Sequence, residues 1–241
     1  MRILFISDLH LHRGRPDLTR ALLHFLSSTA TECDQLYILG DLFEAWIGDD
    51  FIPDDLQPVI EALKTRSQSG CQIFFQHGNR DFLIGERFTQ LTGVQRLPDA
   101  AVIPLASGPA LLMHGDQLCT DDLDYQKLRQ QLRSPEWQAA VLAQPAPERL
   151  ALAKQLRMAS ETQTADKRTE IMDVNPQAVD QAMVDANCNL LIHGHTHRPA
   201  VHFLAGARRR IVLGDWDKSG WYLDATDQGE QLIEFDLNLG V

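Results

Sequence analysis

The chain has 241 residues, of which 44% are hydrophobic and 23% charged, and these values are ordinary for one globular domain with a substantial core. The formal net charge of -11 argues against a nucleic-acid partner, because such partners usually select a basic protein. The four cysteines show no C-x-x-C spacing, which argues against a zinc knuckle or a disulfide framework and favours the cytoplasm. No apolar run approaches the ~18 residues of a membrane span.

Two strand-helix-strand units open the chain, and each strand is followed by a carboxylate. Residues 3–6 and 35–39 are apolar runs that predict buried strands, followed by Asp8-Leu9-His10 and by Gly40-Asp41. In open α/β sheets, sites form beyond the carboxyl ends of the strands, so these side chains are candidate metal ligands. The alternatives are a helix-capping role for Asp8 and an ordinary turn role for Asp41.

A third predicted strand, residues 71–75, leads to Asn79, Arg80 and Asp81. The Asn79 carbonyl oxygen suits a metal ion, and the forked guanidinium of Arg80 suits phosphate oxygens. An ion pair between Arg80 and Asp81 is the alternative. Shorter alternating runs at 101–105 and 110–113 follow, and the second leads to His114.

The pattern turns helical over about 120–184, where no strand-like run occurs. Asp121 or Asp122 is placed to cap the first helix. Ser160, Thr164 and Lys167 recur at i, i+4 and i+7, so they share one helix face. This polar stripe suits a ligand, and a solvated helix face is the alternative.

Residues 190–197 read Leu-Leu-Ile-His-Gly-His-Thr-His, a short buried strand that ends in alternating imidazoles. Histidine tracts at a strand end pack poorly but bind metal well, although a single buried core histidine is an alternative for each. Alternating runs at 201–204, 210–213, 221–223 and 231–235 then predict an antiparallel tail.

The strand ends together supply a mixed oxygen and nitrogen ligand set without thiolate. Its members are Asp8, His10, Asp41, Asn79, His114, His195 and His197. Such a set, with one shared carboxylate, builds a site for two divalent ions that activates water for phosphoryl displacement. Mn²⁺ or Fe²⁺ suits these ligands, with Zn²⁺ or Co²⁺ as alternatives.

The motifs D-x-H, G-D, G-N-[HR]-[DE], H-G and G-H-x-H cover nearly the whole chain, which therefore resembles the calcineurin-like metallophosphoesterases. The resemblance implies a four-layer sandwich of two β-sheets flanked by helices. It also implies that one metal is held by Asp8, His10 and His197, the other by Asn79, His114 and His195, and that Asp41 bridges them. His193 matches no ligand position, and we expect it behind the ligands.

The segments 40–50, 78–81 and 214–216 are similar to the branch of this family that hydrolyses UDP-2,3-diacylglucosamine in lipid A biosynthesis. This implies one domain over 1–241 with a helical cap at about 120–184, two Mn²⁺ ions, and water attack at the α-phosphorus that releases UMP and 2,3-diacylglucosamine 1-phosphate. The implied catalytic residues are Asn79, Arg80, His114 and His195, and the implied substrate contacts are Asn79, Arg80, Asp122, Ser160, Thr164, Lys167 and His195. Many relatives have a histidine at the position of Arg80, so we hypothesise that Arg80 stabilises diphosphate charge and is not a general acid.

An acylated substrate also needs an apolar channel and access to lipid. The candidates for the channel are Trp46, Phe82, Leu83, Ile84, Trp137 and Met172, with core packing as the alternative for at least half of them. The basic residues Lys154, Arg157, Lys167 and Arg168 predict salt-sensitive, peripheral binding of a monomer to an anionic surface, on the cytoplasmic face of the inner membrane of a Gram-negative bacterium. The competing functions are a sister phosphoesterase for soluble substrates and a metal-free scaffold.

Overall fold

The computed structural model describes residues 1–166 and 173–238, which form two mixed β-sheets flanked by helices. The strands are β1 (Ile3–Ile6), β2 (Gln35–Ile38), β3 (Gln72–Phe75), β4 (Gln95–Arg96), β5 (Ala100–Leu105), β6 (Gly108–Met113), β7 (Leu190–His193), β8 (Ala200–Phe203), β9 (Arg209–Val212), β10 (Gly220–Thr226) and β11 (Gly229–Phe235). The helices are α1 (Pro16–Ser27), α2 (Gln57–Gln68), α3 (Glu86–Thr92), α4 (Leu123–Leu132), α5 (Pro135–Leu142), α6 (Ala146–Asp166) and α7 (Pro176–Asp185).

The first sheet has the order β11-β10-β1-β2-β3-β4 and the second has the order β5-β6-β7-β9-β8. Strands β1 to β4 run parallel, as do β6, β7 and β9. The predicted C-terminal strands form, and β8 pairs antiparallel with β9 and β10 with β11, but they do not make a single antiparallel unit. The β8 and β9 strands complete the second sheet, with β9 parallel to β7, whereas β10 and β11 complete the first.

Alternate side chains of the strands are buried in different layers, because successive residues of a strand point to opposite faces. Leu4 and Ile6 pack in the cluster that contains the residues of α1 and α2. Ile3 and Phe5 pack between the two sheets, opposite side chains such as Leu112 of β6. The second sheet is covered on its outer side by α7. The order helix, sheet, sheet, helix confirms the expected sandwich.

Helix α7 lies within the range predicted as an insertion, yet its buried residues Val179 and Met183 pack against Leu111 and Leu191 of the second sheet. Helices α4, α5 and α6 precede it. The Asp122 side chain caps α4 by accepting a hydrogen bond from the backbone N–H of Tyr125 at 3.1 Å, as predicted for one of two aspartates.

In the part of the chain that the structure covers, no helix combines the length and the apolar character that crossing a membrane requires.

Candidate active site

The predicted ligands all follow strands that end at one side of the sandwich. Asp8 and His10 follow β1, Asp41 follows β2, Asn79 follows β3, His114 follows β6, and His195 and His197 follow β7. The structure brings these residues from both sheets together at that side.

Five of these residues have a left-handed backbone that side-chain-bearing residues rarely adopt. The φ angles are 57° for Asp8, 50° for His10, 52° for Asp41, 66° for His195 and 54° for His197. Each such residue costs about 1–3 kcal/mol of strain, and strain of this kind concentrates at functional sites. The loops are therefore held in unfavourable conformations that turn their side chains toward a common centre.

Two glycines allow the loops to approach each other. A Cβ atom at Gly40, where φ is 88°, would lie 2.6 Å from Gly78 Cα and from His114 Nδ1. A Cβ atom at Gly78 would collide with the Asp41 carboxylate. Both positions require glycine because another loop occupies the space of a side chain.

Asp8, His10 and His197 form the first half-site. One ligand atom of each lies within 4.8 Å of the others. The Asp8 Oδ1 atom lies 3.4 Å from His197 Nε2, and the two histidine Nε2 atoms are 3.3 Å apart. The Asp8 side chain is fully buried, and its Oδ1 has no hydrogen-bond partner among the described residues. An orphaned buried carboxylate oxygen of this kind favours a bound cation.

Asn79, His114 and His195 form the second half-site. The Asn79 Oδ1 atom lies 3.0 Å from both His114 Nε2 and His195 Nδ1. Asp41 lies between the half-sites, because its Oδ2 is 3.7 Å from His114 Nε2 and 3.9 Å from His10 Nε2. This position matches a carboxylate shared by two cations.

The protonation of the histidines follows their surroundings. Burial lowers the pKa of His197, but the nearby carboxylates of Asp215 and Asp8 outweigh burial and raise the pKa to about 11. Burial and the nearby His114 lower the pKa of His195 to about 4. The cluster therefore combines carboxylates, imidazoles and one amide oxygen. This set of donor atoms fits two divalent cations of the Mn²⁺ or Fe²⁺ kind.

Buried groups behind the ligands fix their orientation. The backbone carbonyl of Leu39 lies 2.7 Å from His114 Nδ1, so that nitrogen donates and Nε2 faces the site. The Asp81 carboxylate accepts hydrogen bonds from Leu42 N–H at 2.8 Å and Gly78 N–H at 2.9 Å, and so joins the loops after β2 and β3. Asp81 therefore serves the backbone and is not the ion-pair partner of Arg80 that the sequence offered as an alternative.

His193 lies behind the ligand loop and is fully buried. Its Nδ1 lies 2.9 Å from the Gly194 carbonyl oxygen, and Arg210 approaches its Nε2 at 3.3 Å. Burial and the charge of Arg210 lower the pKa of His193 to about 3. His193 is therefore neutral and donates from Nδ1 to the backbone, as expected for a residue that supports the loop.

A cavity of about 730 Å³ opens from the cluster and extends beneath α4, α5 and α6. Its polar lining includes His10, Asp41, Asn79, Arg80 and His195 of the cluster region. The loop after β3 and the three helices add large apolar side chains, among them Phe82, Leu83, Leu128, Leu132, Trp137, Val141, Leu152 and Leu156, together with basic residues such as Arg129 and Arg157.

Only some of the predicted channel residues line the cavity. Trp46, Phe82, Leu83 and Trp137 line the cavity. Ile84 does not line it; with 1% of its surface exposed it packs in the core, so its assignment to the channel is wrong. Met172 lies outside the described residues.

The predicted substrate contacts are only partly visible. Asp122 and Arg80 line the cavity, and Arg80 Nε is buried without a hydrogen-bond partner among the described residues. Lys167 lies outside the described residues, and so do the side chains of Ser160 and Thr164 on α6.

Sequence reasoning missed several buried polar contacts between the helices α4 to α6 and the ligand loops. On α6, Arg149 is 3% exposed and pairs with Asp50, while it donates to the Ile47 carbonyl at 2.6 Å. On α4, Arg129 donates to the buried Asp116 at 2.7 Å. The segments 40–50 and 114–116 contained these acids, but nothing in the sequence showed their partners.

The two-sheet sandwich and the cluster at its strand ends define a metallophosphoesterase. The model of the calcineurin-like phosphoesterase family matches residues 1–199, and the chain belongs to that family. It is a metal-dependent hydrolase.

Proteins named UDP-2,3-diacylglucosamine hydrolase are similar to this chain over nearly its whole length. The one from Cellvibrio japonicus is 51% identical over 242 residues and covers 98% of this chain and 100% of the relative. The one from Chromohalobacter salexigens is 51% identical and covers 98% of each chain, and the one from Pseudomonas entomophila is 49% identical and covers 98% of this chain and 100% of the relative.

Proposed function

We propose that this protein hydrolyses the pyrophosphate bond of UDP-2,3-diacylglucosamine and releases UMP and 2,3-diacylglucosamine 1-phosphate. The observation that carries the proposal is one cavity lined both by the polar cluster and by large apolar side chains. A substrate with a diphosphate and two acyl chains needs both kinds of lining. The names of relatives about 50% identical over nearly the full length support the same substrate.

The two half-sites would hold two divalent ions, one on Asp8, His10 and His197 and the other on Asn79, His114 and His195, with Asp41 shared. Bound there, the ions would supply a nucleophilic water at neutral pH and neutralise charge on the phosphoryl oxygens. We assign Mn²⁺ to both positions because the ligands are oxygen and imidazole nitrogen without thiolate.

The side chains around the cluster would bind and orient the substrate. The unpartnered Nε of Arg80 is placed to donate to diphosphate oxygens, and the fixed positive charge of this residue stabilises the negative charge that builds up on them. Asn79, His114 and His195 would position the scissile phosphate. Asp122, Ser160, Thr164 and Lys167 would contact the sugar nucleotide, and Phe82 and Trp137 would pack against acyl chains.

The helices α4, α5 and α6 would act as a cap on a single domain, since their apolar side chains line the cavity. We also propose that the protein is a monomer that binds peripherally to the cytoplasmic face of the inner membrane. The basic residues Lys154 and Arg157 on α6, each worth about 1 kcal/mol near an anionic surface, would contribute to this contact. Recovery of all the protein in the soluble fraction at low salt would contradict membrane binding.

The proposed substrate is tested by comparing hydrolysis of UDP-2,3-diacylglucosamine with that of its deacylated analogue, using the same Mn²⁺-loaded protein. We expect kcat/KM to fall by at least about 100-fold without the acyl chains, because several buried CH₂ groups at about 0.8 kcal/mol each contribute to binding. Equal rates, together with rapid cleavage of a simple phosphodiester, would favour a phosphoesterase for soluble substrates.

A further inference from the structure

Glu44 lies between a predicted metal ligand and the cap. Its Oε2 is 3.2 Å from His10 Nδ1, and its Oε1 is 3.0 Å from the guanidinium of Arg157 on α6. The Glu44 side chain is only 13% exposed, so its contact with His10 is largely shielded from water, whereas Arg157 is 43% exposed. One carboxylate therefore joins the first half-site to Arg157 of α6, a residue more than 140 positions from His10 in the sequence.

The two ring nitrogens of His10 face different partners. The Nε2 atom points toward His197 Nε2 at 3.3 Å and Asp41 Oδ2 at 3.9 Å, whereas Nδ1 points toward Glu44. A carboxylate next to Nδ1 favours the proton on that nitrogen, which leaves the lone pair on Nε2 directed into the half-site. Glu44 thus selects the form of His10 that binds a cation.

The backbone holds Glu44 in this position. The N–H of His10 donates to the Asp41 carbonyl at 2.9 Å, the N–H of Leu11 to the Leu42 carbonyl at 3.0 Å, and the N–H of Glu44 to the Leu11 carbonyl at 3.2 Å. These bonds align the two loops side by side. The loops therefore set the backbone positions of Glu44 and His10, while the Glu44 side chain also contacts Arg157 on α6.

We propose that Glu44 is a positioning residue for His10. Through Arg157, it also couples cation binding at the first half-site to the packing of helix α6 against the ligand loops. This inference rests on the proposed metal site. Coupling is reciprocal, so a bound cation should stabilise the packed position of α6 by the same free energy with which the packed helix stabilises the bound cation.

Mn²⁺ binding measured by calorimetry, with bound ions counted by electron paramagnetic resonance, tests the role of Glu44 without any substrate. We expect Glu44→Ala to lower the affinity for one of the two Mn²⁺ ions by about 10- to 100-fold, which is typical when a residue that supports a metal ligand is lost. The affinity for the other ion should stay within about twofold. Glu44→Gln should restore part of the affinity because its amide oxygen can lie beside Nδ1 and favour the proton there.

Asp50→Asn is the matched control. It removes another ion pair of α6, that between Asp50 and Arg149, without touching His10. We expect it to weaken the same Mn²⁺ ion by no more than about fivefold, clearly less than Glu44→Ala, and to leave the other within about twofold. An equal loss in Asp50→Asn and Glu44→Ala would show a general loosening of α6 and would overturn the positioning role.

The coupling to the cap is tested with Arg157→Gln, whose ion pair is partly exposed. We expect this substitution to lower the affinity for the same Mn²⁺ ion about two- to fivefold in the wild-type background, and to leave it unchanged when Glu44 is already Ala. Additive losses would overturn the coupling. If the wild type binds no Mn²⁺, the proposed metal site itself fails; if it binds two and Glu44→Ala binds them equally well, only the present inference fails.

Discussion

Asp81 connects the two loops that carry Asp41 and Asn79, and Asp81→Asn tests how much this connection stabilises the fold. The carboxylate is fully buried and accepts from four backbone N–H groups, with one oxygen shared by Leu42 at 2.8 Å and Phe43 at 3.4 Å and the other by Gly78 at 2.9 Å and Asp41 at 3.3 Å. Asparagine keeps one acceptor oxygen and replaces the other by an NH₂ group that cannot accept.

Either orientation of the amide leaves one short and one long hydrogen bond unmade. A buried donor without a partner costs about 1–3 kcal/mol, so one full loss and one partial loss should lower the free energy of unfolding by about 2–4 kcal/mol. The short bonds to Leu42 and Gly78 dominate this figure. No cavity is created, since the two side chains have nearly the same size.

Urea denaturation at pH 8 measures this change in the free energy of unfolding. Burial and the charge of Asp41 raise the pKa of Asp81 to about 7, so at pH 8 the wild-type residue is mostly ionised. Asparagine also removes the cost of this buried charge, so the net loss should be smaller than the figure for the hydrogen bonds alone. The exposed Asp55 provides the control, and Asp55→Asn should change stability by less than about 0.5 kcal/mol. A gain in stability in Asp81→Asn would refute the view that these hydrogen bonds hold the loops together.

Three further predictions concern charge, acid stability and the apolar lining of the cavity. Arg80→Lys should lower kcat by about 10-fold or more, because an ammonium point charge replaces the several N–H donors of the planar guanidinium. The acid limb of the pH–rate profile should not move, and a shifted limb would indicate a general acid. Burial lowers the pKa of His77 to about 4 from 6.5, so its contribution to stability is lost as the pH falls from 6.5 to 4, by up to about 3 kcal/mol. His77→Gln should flatten the stability curve measured by urea denaturation across that window, and an unchanged slope would contradict the assignment. Trp137→Ala should raise KM for the diacylated substrate by at least about 10-fold with little effect on the deacylated analogue, and equal effects on both would remove Trp137 from the acyl site.

The ligand cluster was predictable from sequence because it depends on local rules. Parallel strands end at a common edge, so a polar residue immediately after a buried run has a defined location even when its partners are unknown. Asp8, Asp41 and His114 each follow such a run, and the structure brings them within 4.8 Å of one another. Family motifs added the expected grouping of the ligands.

Strand pairing in the C-terminal part was not predictable in the same way. The alternation in 201–204 and 221–223 correctly indicated strands, but it carries no information about the partner strand. The pairing of β9 with β7 passes over the intervening β8, and the pairing of β10 with β1 joins opposite ends of the chain. Tertiary packing decided what the local pattern left open.

The contacts behind the ligands could not be predicted from the sequence either. Arg149 and Asp50 are 99 residues apart, and Glu44 meets Arg157 across a similar distance. A charged residue on a helix is usually solvated, and nothing in its spacing shows that Arg149 is buried. The five left-handed ligand residues were equally invisible, since only the fold makes this strain tolerable.

Hydrolysis of UDP-2,3-diacylglucosamine by the Mn²⁺-loaded protein in ¹⁸O-labelled water, with phosphorus NMR of the products, tests the central claim most directly. Our account predicts the label in UMP, because water attacks the α-phosphorus while the sugar 1-phosphate departs. Label in 2,3-diacylglucosamine 1-phosphate would place the attack on the other phosphorus, and no turnover of this substrate would contradict the proposed function.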